Sequence, residues 1–66
     1  MMRLKLSKEI YSAKNINDAI IMYSDLGKIK LKSDKCYWIL IFTQCKYGTE
    51  RTIKEFENYV IGLENN

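Results

Sequence analysis

The run Lys35-Cys36-Tyr37-Trp38-Ile39-Leu40-Ile41-Phe42-Thr43 is dense in β-branched and aromatic residues, and it is apolar at even and odd positions alike. Successive side chains of a strand point to opposite faces, so a strand of this composition has two faces to shield. It belongs in the middle of a sheet. In a chain of 66 residues that demand is hard to meet. A domain of this size buries only about 60% of the surface that its unfolded form exposes. Help from oligomerisation or from a partner is therefore expected. Residues 1–66 read as a single small domain, without linker or repeat, and a hydrophobic content of 47% separates the chain from low-complexity disorder.

The rest of the chain supplies the neighbours. Met2, Leu4 and Leu6 alternate with Arg3, Lys5 and Ser7, the period-two pattern of a half-buried strand. Ser12 offers an N-cap, with Asn15 as a second candidate. Ile16, Ala19, Ile20, Tyr23 and Leu26 then share one helical face, Ile21 lies on the opposite one, and Gly27 is expected as a left-handed C-terminal residue. Lys28-Ile29-Lys30-Leu31-Lys32 alternates again, and Ser33-Asp34 is expected as a two-residue turn into the apolar run. Lys46-Tyr47-Gly48 breaks that strand. Thr52-Ile53-Lys54-Glu55 matches a capping box, with Thr49 an alternative cap one turn earlier. Ile53, Phe56, Tyr59, Val60 and Leu63 form the stripe of this last helix, while Gly62 and Asn65-Asn66 suggest fraying at its end.

The order is β-α-β-β-α, an α+β fold. A right-handed β-α-β crossover followed by a hairpin places the third strand between the first two, giving a three-stranded sheet of order 1-3-2. Both helices then cover one face, as in a ferredoxin-like fold truncated before its last strand, and the first strand is an open edge.

Strand alternation predicts what each face carries. With the Ser33-Asp34 turn, Lys32 pairs with Lys35 and Leu31 with Cys36. Ile29, Leu31, Cys36, Trp38, Leu40 and Phe42 then look toward the helices. The other face shows Arg3, Lys5, Lys28, Lys30 and Lys32 around Tyr37, Ile39, Ile41 and Thr43. A three-residue turn would swap the faces of the third strand and expose Trp38. Either arrangement leaves an apolar stripe uncovered, a candidate interaction surface. Lys28, Lys30, Lys32, Tyr37, Ile39 and Ile41 are its candidate partner-binding residues.

Composition narrows the chemistry. The chain has no histidine, which removes the usual general base near neutral pH and the commonest metal ligand. Cys36 and Cys45 are too few for a four-ligand zinc site from one chain. On one extended strand they would lie roughly 30 Å apart, beyond the reach of a disulfide. Buried structural thiols in a reducing cytoplasm are expected. No nucleophile is paired with a base, so neither an enzyme nor a cofactor is expected. The longest apolar run, Cys36 to Phe42, is far short of the ~20 residues that span a bilayer. Charge is uneven: residues 1–46 carry nine Lys and Arg against four acids, net +5, and residues 47–66 carry two against four, net −2.

Tyr11-Ser12 at the start of the first helix, Ala19 and Tyr23 on its buried face, and Glu55-Phe56-Glu57-Asn58-Tyr59-Val60 in the last helix carry a resemblance. In order and spacing, over roughly residues 4–63, the chain resembles the small HxsD family of the His-Xaa-Ser peptide-maturation systems. It departs in ending on Asn65-Asn66, where relatives carry an arginine-bearing tail. The resemblance implies a non-enzymatic accessory protein of ribosomal-peptide maturation, whose partner is a radical S-adenosylmethionine (radical SAM) maturase or its precursor peptide. Within that match Phe56 reads as core, while Asn58 projects from the helix and reads either as a partner contact or as a plain solvated residue.

Three readings stay open at this level. A peptide- or maturase-binding module would use the uncovered face or the open strand edge. A homodimer, as a structural protein, would bury Tyr37, Ile39 and Ile41 in its own interface. A nucleic-acid module would use the lysines beside an aromatic as a stacking platform, but the net charge of +3 is weak support, and this partner is disfavoured.

Overall fold

Leu6, Leu40 and Phe42 lose all but 3%, 0% and 0% of their surface to solvent, and they do so on one side of one sheet. In the computed structural model, which describes residues 2–65, β1 (Met2–Ser7), α1 (Ala13–Met22), β2 (Lys28–Ser33), β3 (Tyr37–Thr43) and α2 (Thr49–Glu64) follow in that order. Both outer strands pair with β3 antiparallel, in the order β1-β3-β2. The fold is the expected α+β arrangement.

The core explains the helix-side half of β3. Leu6, Leu40 and Phe42 meet Ile16 and Ala19 of α1 and Phe56 and Val60 of α2, all buried. The Phe42 and Phe56 rings meet edge to face, with centroids 5.3 Å apart. Tyr23 extends the cluster with edge contacts to Phe56 at 5.7 Å and to Tyr59 at 5.8 Å. Such pairs add about 0.5–1.5 kcal/mol each beyond area burial. The Tyr23 hydroxyl donates to the Glu55 carbonyl at 3.2 Å. Burial, then Glu55 and Tyr59, push its pKa above the ordinary phenol value. Trp38, half-buried on the same side, donates its indole N–H to the Tyr11 carbonyl at 2.9 Å.

Both helices start differently from each other. Ser12 caps α1 as expected, its hydroxyl accepting from the Asn15 N–H at 3.3 Å. The same hydroxyl donates to Glu64 Oε1 at 3.1 Å, and the Ser12 N–H donates to that oxygen at 2.7 Å. The end of α2 is thus tied to the start of α1. The Ser12 N–H, then the Asn15 side chain and the Ser12 hydroxyl, hold the Glu64 carboxyl below its usual pKa.

Five local expectations are corrected. The capping box at Thr52 does not form. The helix starts one turn earlier, capped by Gly48 without a side-chain bond, and Thr52 is a buried helical residue whose hydroxyl donates to the Gly48 carbonyl at 2.8 Å. Gly48 has a φ of 93°, a left-handed conformation that glycine adopts freely, and Gln44 turns the chain out of β3 with a φ of 53°. The helix also runs on through Gly62 to Glu64 instead of fraying there.

Gly27 is not a left-handed cap, because α1 ends at Met22 with Tyr23 as its cap. It is needed for closeness: a Cβ there would stand 2.8 Å from Cys45 Sγ and 3.1 Å from Cys45 Cα. Beside it, the Lys46 N–H donates to the Leu26 carbonyl at 2.8 Å.

The hairpin turn lies two residues later than expected, with Lys35-Cys36 at its tip. Asp34 Oδ1 accepts from the Cys36 N–H at 2.8 Å and from the Tyr37 N–H at 2.7 Å, so one carboxylate satisfies two amides of the tip. Those two amides, in that order, hold the Asp34 carboxyl below its usual pKa. Leu31 pairs with Leu40, four residues beyond Cys36. An even shift leaves every side chain on its expected face. It does remove Cys36 from the strand, so the expected burial of both thiols is half wrong: Cys36 is exposed and Cys45 half-buried, and both are free.

Candidate interaction surface

On the side of the sheet away from the helices, β3 presents Tyr37, Ile39, Ile41 and Thr43, and the outer strands supply their neighbours in rungs. Ile41 lies between Arg3 and Lys30, and Ile39 between Lys5 and Lys32. Thr43 is paired with Lys28, and Tyr37 with Ser7. Alternation along three antiparallel strands brings these residues together, so six of the seven candidate residues share one surface. Arg3 and Lys5, which the alternation of the first strand also assigns to this face, complete it.

Asn58 does not belong there. It is exposed on the outer side of α2, beside Glu50, Arg51, Lys54 and Glu55, with the helix layer between it and the sheet's open face. A partner contact at Asn58 is a separate matter from the lysine-flanked stripe.

The charge of this face is one-sided. Of the eleven Lys and Arg in the chain, five project from it and no Asp or Glu does. The remaining six stand against all eight acids, so the rest of the chain carries a net −2. Among the described residues, none of the five makes an ion pair; the pair that forms is Arg51–Glu55 at 3.7 Å on α2. Lys5 is engaged otherwise, its Nζ lying 4.7 Å from the centre of the Tyr37 ring. Asp34, close enough for Lys5 and Lys8 to lower its pKa, is occupied by the two turn amides.

The stripe is less bare than strand alternation suggests. Ile41 is only 9% exposed and Ile39 half-buried, although no helix covers them. Their cross-strand neighbours are long side chains, and Lys and Arg lay their methylene stems over apolar surface while the charged heads stay in water. Tyr37, opposite Ser7, has a short neighbour on that side and is 40% exposed. A hollow lined by Arg3, Lys30, Lys32, Ile41 and Thr43 remains at one end.

At the other end a further cation stands at the edge of the sheet, against Trp38 of the helix side and outside the open-face pattern. Lys8 lies just past β1, its N–H donating to the Cys36 carbonyl at 2.9 Å, and its Nζ sits 4.7 Å from the centre of the Trp38 ring. Lys8 and Lys35 border a second hollow with Ser7, Glu9, Cys36 and Tyr37. No spacing signal in the sequence marks Lys8: the Arg3, Lys5 alternation runs on to Ser7 and Glu9, and Lys8 has the parity of Leu4 and Leu6.

Among the described residues no helix is long and apolar enough to cross a membrane, and no three His, Cys, Asp or Glu residues cluster as metal ligands. Comparison of the chain with models of known protein families, with curated proteins and with solved structures finds no match.

Proposed function

We propose that this protein is a non-enzymatic accessory module that binds an anionic partner polypeptide on the open face of its sheet. The observation that carries the reading is the five cations flanking Tyr37, Ile39 and Ile41, none of them in an ion pair among the described residues and no Asp or Glu between them on the strands. Together with the HxsD-like pattern of residues 4–63, it supports a cytoplasmic role in ribosomal-peptide maturation, the partner being a radical SAM maturase or its precursor peptide. The test is titration of the purified protein with the products of neighbouring radical-enzyme and precursor-peptide genes. Binding at tens of micromolar or tighter, lost with Ile39→Glu, is expected. No binding by either product sinks the proposal.

The same charge pattern weighs against the two competing readings. A second copy stacked on this face would oppose five cations with five and bring no carboxylate. Like charges so placed repel, most strongly at low salt. A single-stranded nucleic acid would meet the cations but few stacking surfaces: the central positions are isoleucines, and the Tyr37 ring is already engaged by Lys5.

A further inference from the structure

Resting on that reading, we infer that the occupant of the open face is an acidic amphipathic α-helix of the partner, laid along β3. Its apolar stripe would rest on Tyr37, Ile39 and Ile41. Its Asp and Glu residues would reach Arg3 and Lys5 on one flank and Lys28, Lys30 and Lys32 on the other.

Three features point to a helix. The amides and carbonyls of β3 are already paired on both sides by β1 and β2. An extended segment lying on the face would find no backbone partners there, whereas a helix satisfies its own. The second feature is width. The two cation rows stand two strand spacings apart, about 9.6 Å, which matches the roughly 10–12 Å diameter of a helix with its side chains. A helix seated between the rows has acids on both flanks within reach of a cation. The third is length. Tyr37 and Ile41 are four residues apart on one strand, about 13.6 Å. A helix covers that distance in about nine residues, so apolar residues at i, i+3, i+4 and i+7 would span most of the stripe.

Charge decides what kind of helix. A basic or neutral helix would bury or crowd five cations without compensation. An acidic one would draw the lysine heads toward its carboxylates and let their stems swing off Ile39 and Ile41. The mode is that of a helix in a groove, with the groove walls made of lysine side chains.

The test uses three probes against the whole protein: a 21-residue peptide with leucines at i, i+3, i+4 and i+7 flanked by glutamates, the same residues scrambled with two prolines, and a 20-nucleotide oligothymidine. We expect the amphipathic peptide to bind at micromolar concentration, to gain helical circular dichroism on binding, and to weaken at least tenfold between about 50 and 500 mM salt as screening grows. Ile39→Glu and the pair Lys30→Glu/Lys32→Glu should each weaken it at least tenfold. Both sites lie on the open face, outside the helix-side core, and unchanged circular dichroism of the free variants will show that they fold.

Equal binding by the scrambled peptide overturns the helix while leaving an anionic polypeptide on this face. Tighter binding by the oligothymidine overturns the helix and the polypeptide alike. Binding by neither peptide overturns the inference, and the proposed function is then judged by its own titration with the maturase and precursor.

Discussion

Phe42 and Ile41 are neighbours on β3, and both are nearly lost to solvent, at 0% and 9% exposure, yet different things cover them. Phe42 is closed in by whole elements, its ring against Phe56 of α2. Ile41 sits between Arg3 and Lys30, in a face that no helix covers. Burial by packed elements is gained once, on folding. Burial by flexible stems can be undone and regained without unfolding, because the stems rotate. A surface of the second kind keeps its apolar residues out of water and can expose them without unfolding.

The largest expected effect sharpens that contrast. Phe56→Ala removes the ring that holds Phe42 and Tyr23, and should cost about 3–5 kcal/mol. Small domains have only a few kcal/mol to lose, so the variant is expected to be largely unfolded by circular dichroism. Ile41→Ala should cost about 1–2 kcal/mol in urea titration, since the neighbouring stems can settle into the space. An equal cost for both would break the comparison and make the open face a second core.

An intermediate effect tests the closure of the helix side. Gly27→Ala forces a methyl against Cys45, where backbone as well as sulfur stands within 3.1 Å. Overpacking of this kind should destabilise by about 1–3 kcal/mol, read as a lower urea midpoint. Binding at the open face should keep its affinity under conditions where the variant is folded. A loss of affinity in the folded variant would mean that the two sides are not independent.

The smallest effect is one of pH, and it has a component on each side of the contrast. Asp34 shapes the turn beside Tyr37, and Glu64 joins α2 to α1. Both carboxyls have pKa values lowered in the folded state. Groups of this kind contribute stability that is present above their unfolded pKa and lost as pH falls through the folded value. Thermal midpoints should therefore fall as pH is lowered through the carboxylate range. Glu64→Gln and Asp34→Asn should each flatten the slope, and unchanged slopes in both variants would refute the assignment. Both groups are at the surface, so the effect is small.

Much of this was legible in the residues. The strand alternation of Met2–Ser7 and Lys28–Lys32, the helical stripes through Ile16 and Phe56, and the two-sided β3 run fixed the element order and the two faces of each strand, while the register of the hairpin decided which face of β3 lies open. Turns and caps were less legible, because several residues compete for each role. Thr52 has the spacing of a cap, but the chain at Gly48 can adopt a positive φ and start the helix a turn earlier. Ser33-Asp34 resembles a tight turn, but the Asp34 carboxylate does more when it sits before the tip. Asn58 drew attention through a pattern in the chain, and a pattern along a helix does not say which layer of the molecule that helix separates it from.

By itself, then, the sequence determined the periodicities: which residues alternate, which recur at helical spacing, and hence that five cations would share a sheet face with an apolar stripe. Those are local properties of backbone geometry. Only the tertiary structure decided where the tip of the hairpin lies, that Gly27 must admit Cys45, and that Ile41 is only 9% exposed between Arg3 and Lys30. Each of these depends on distances between segments far apart in the chain, and such distances are set by packing and not by period.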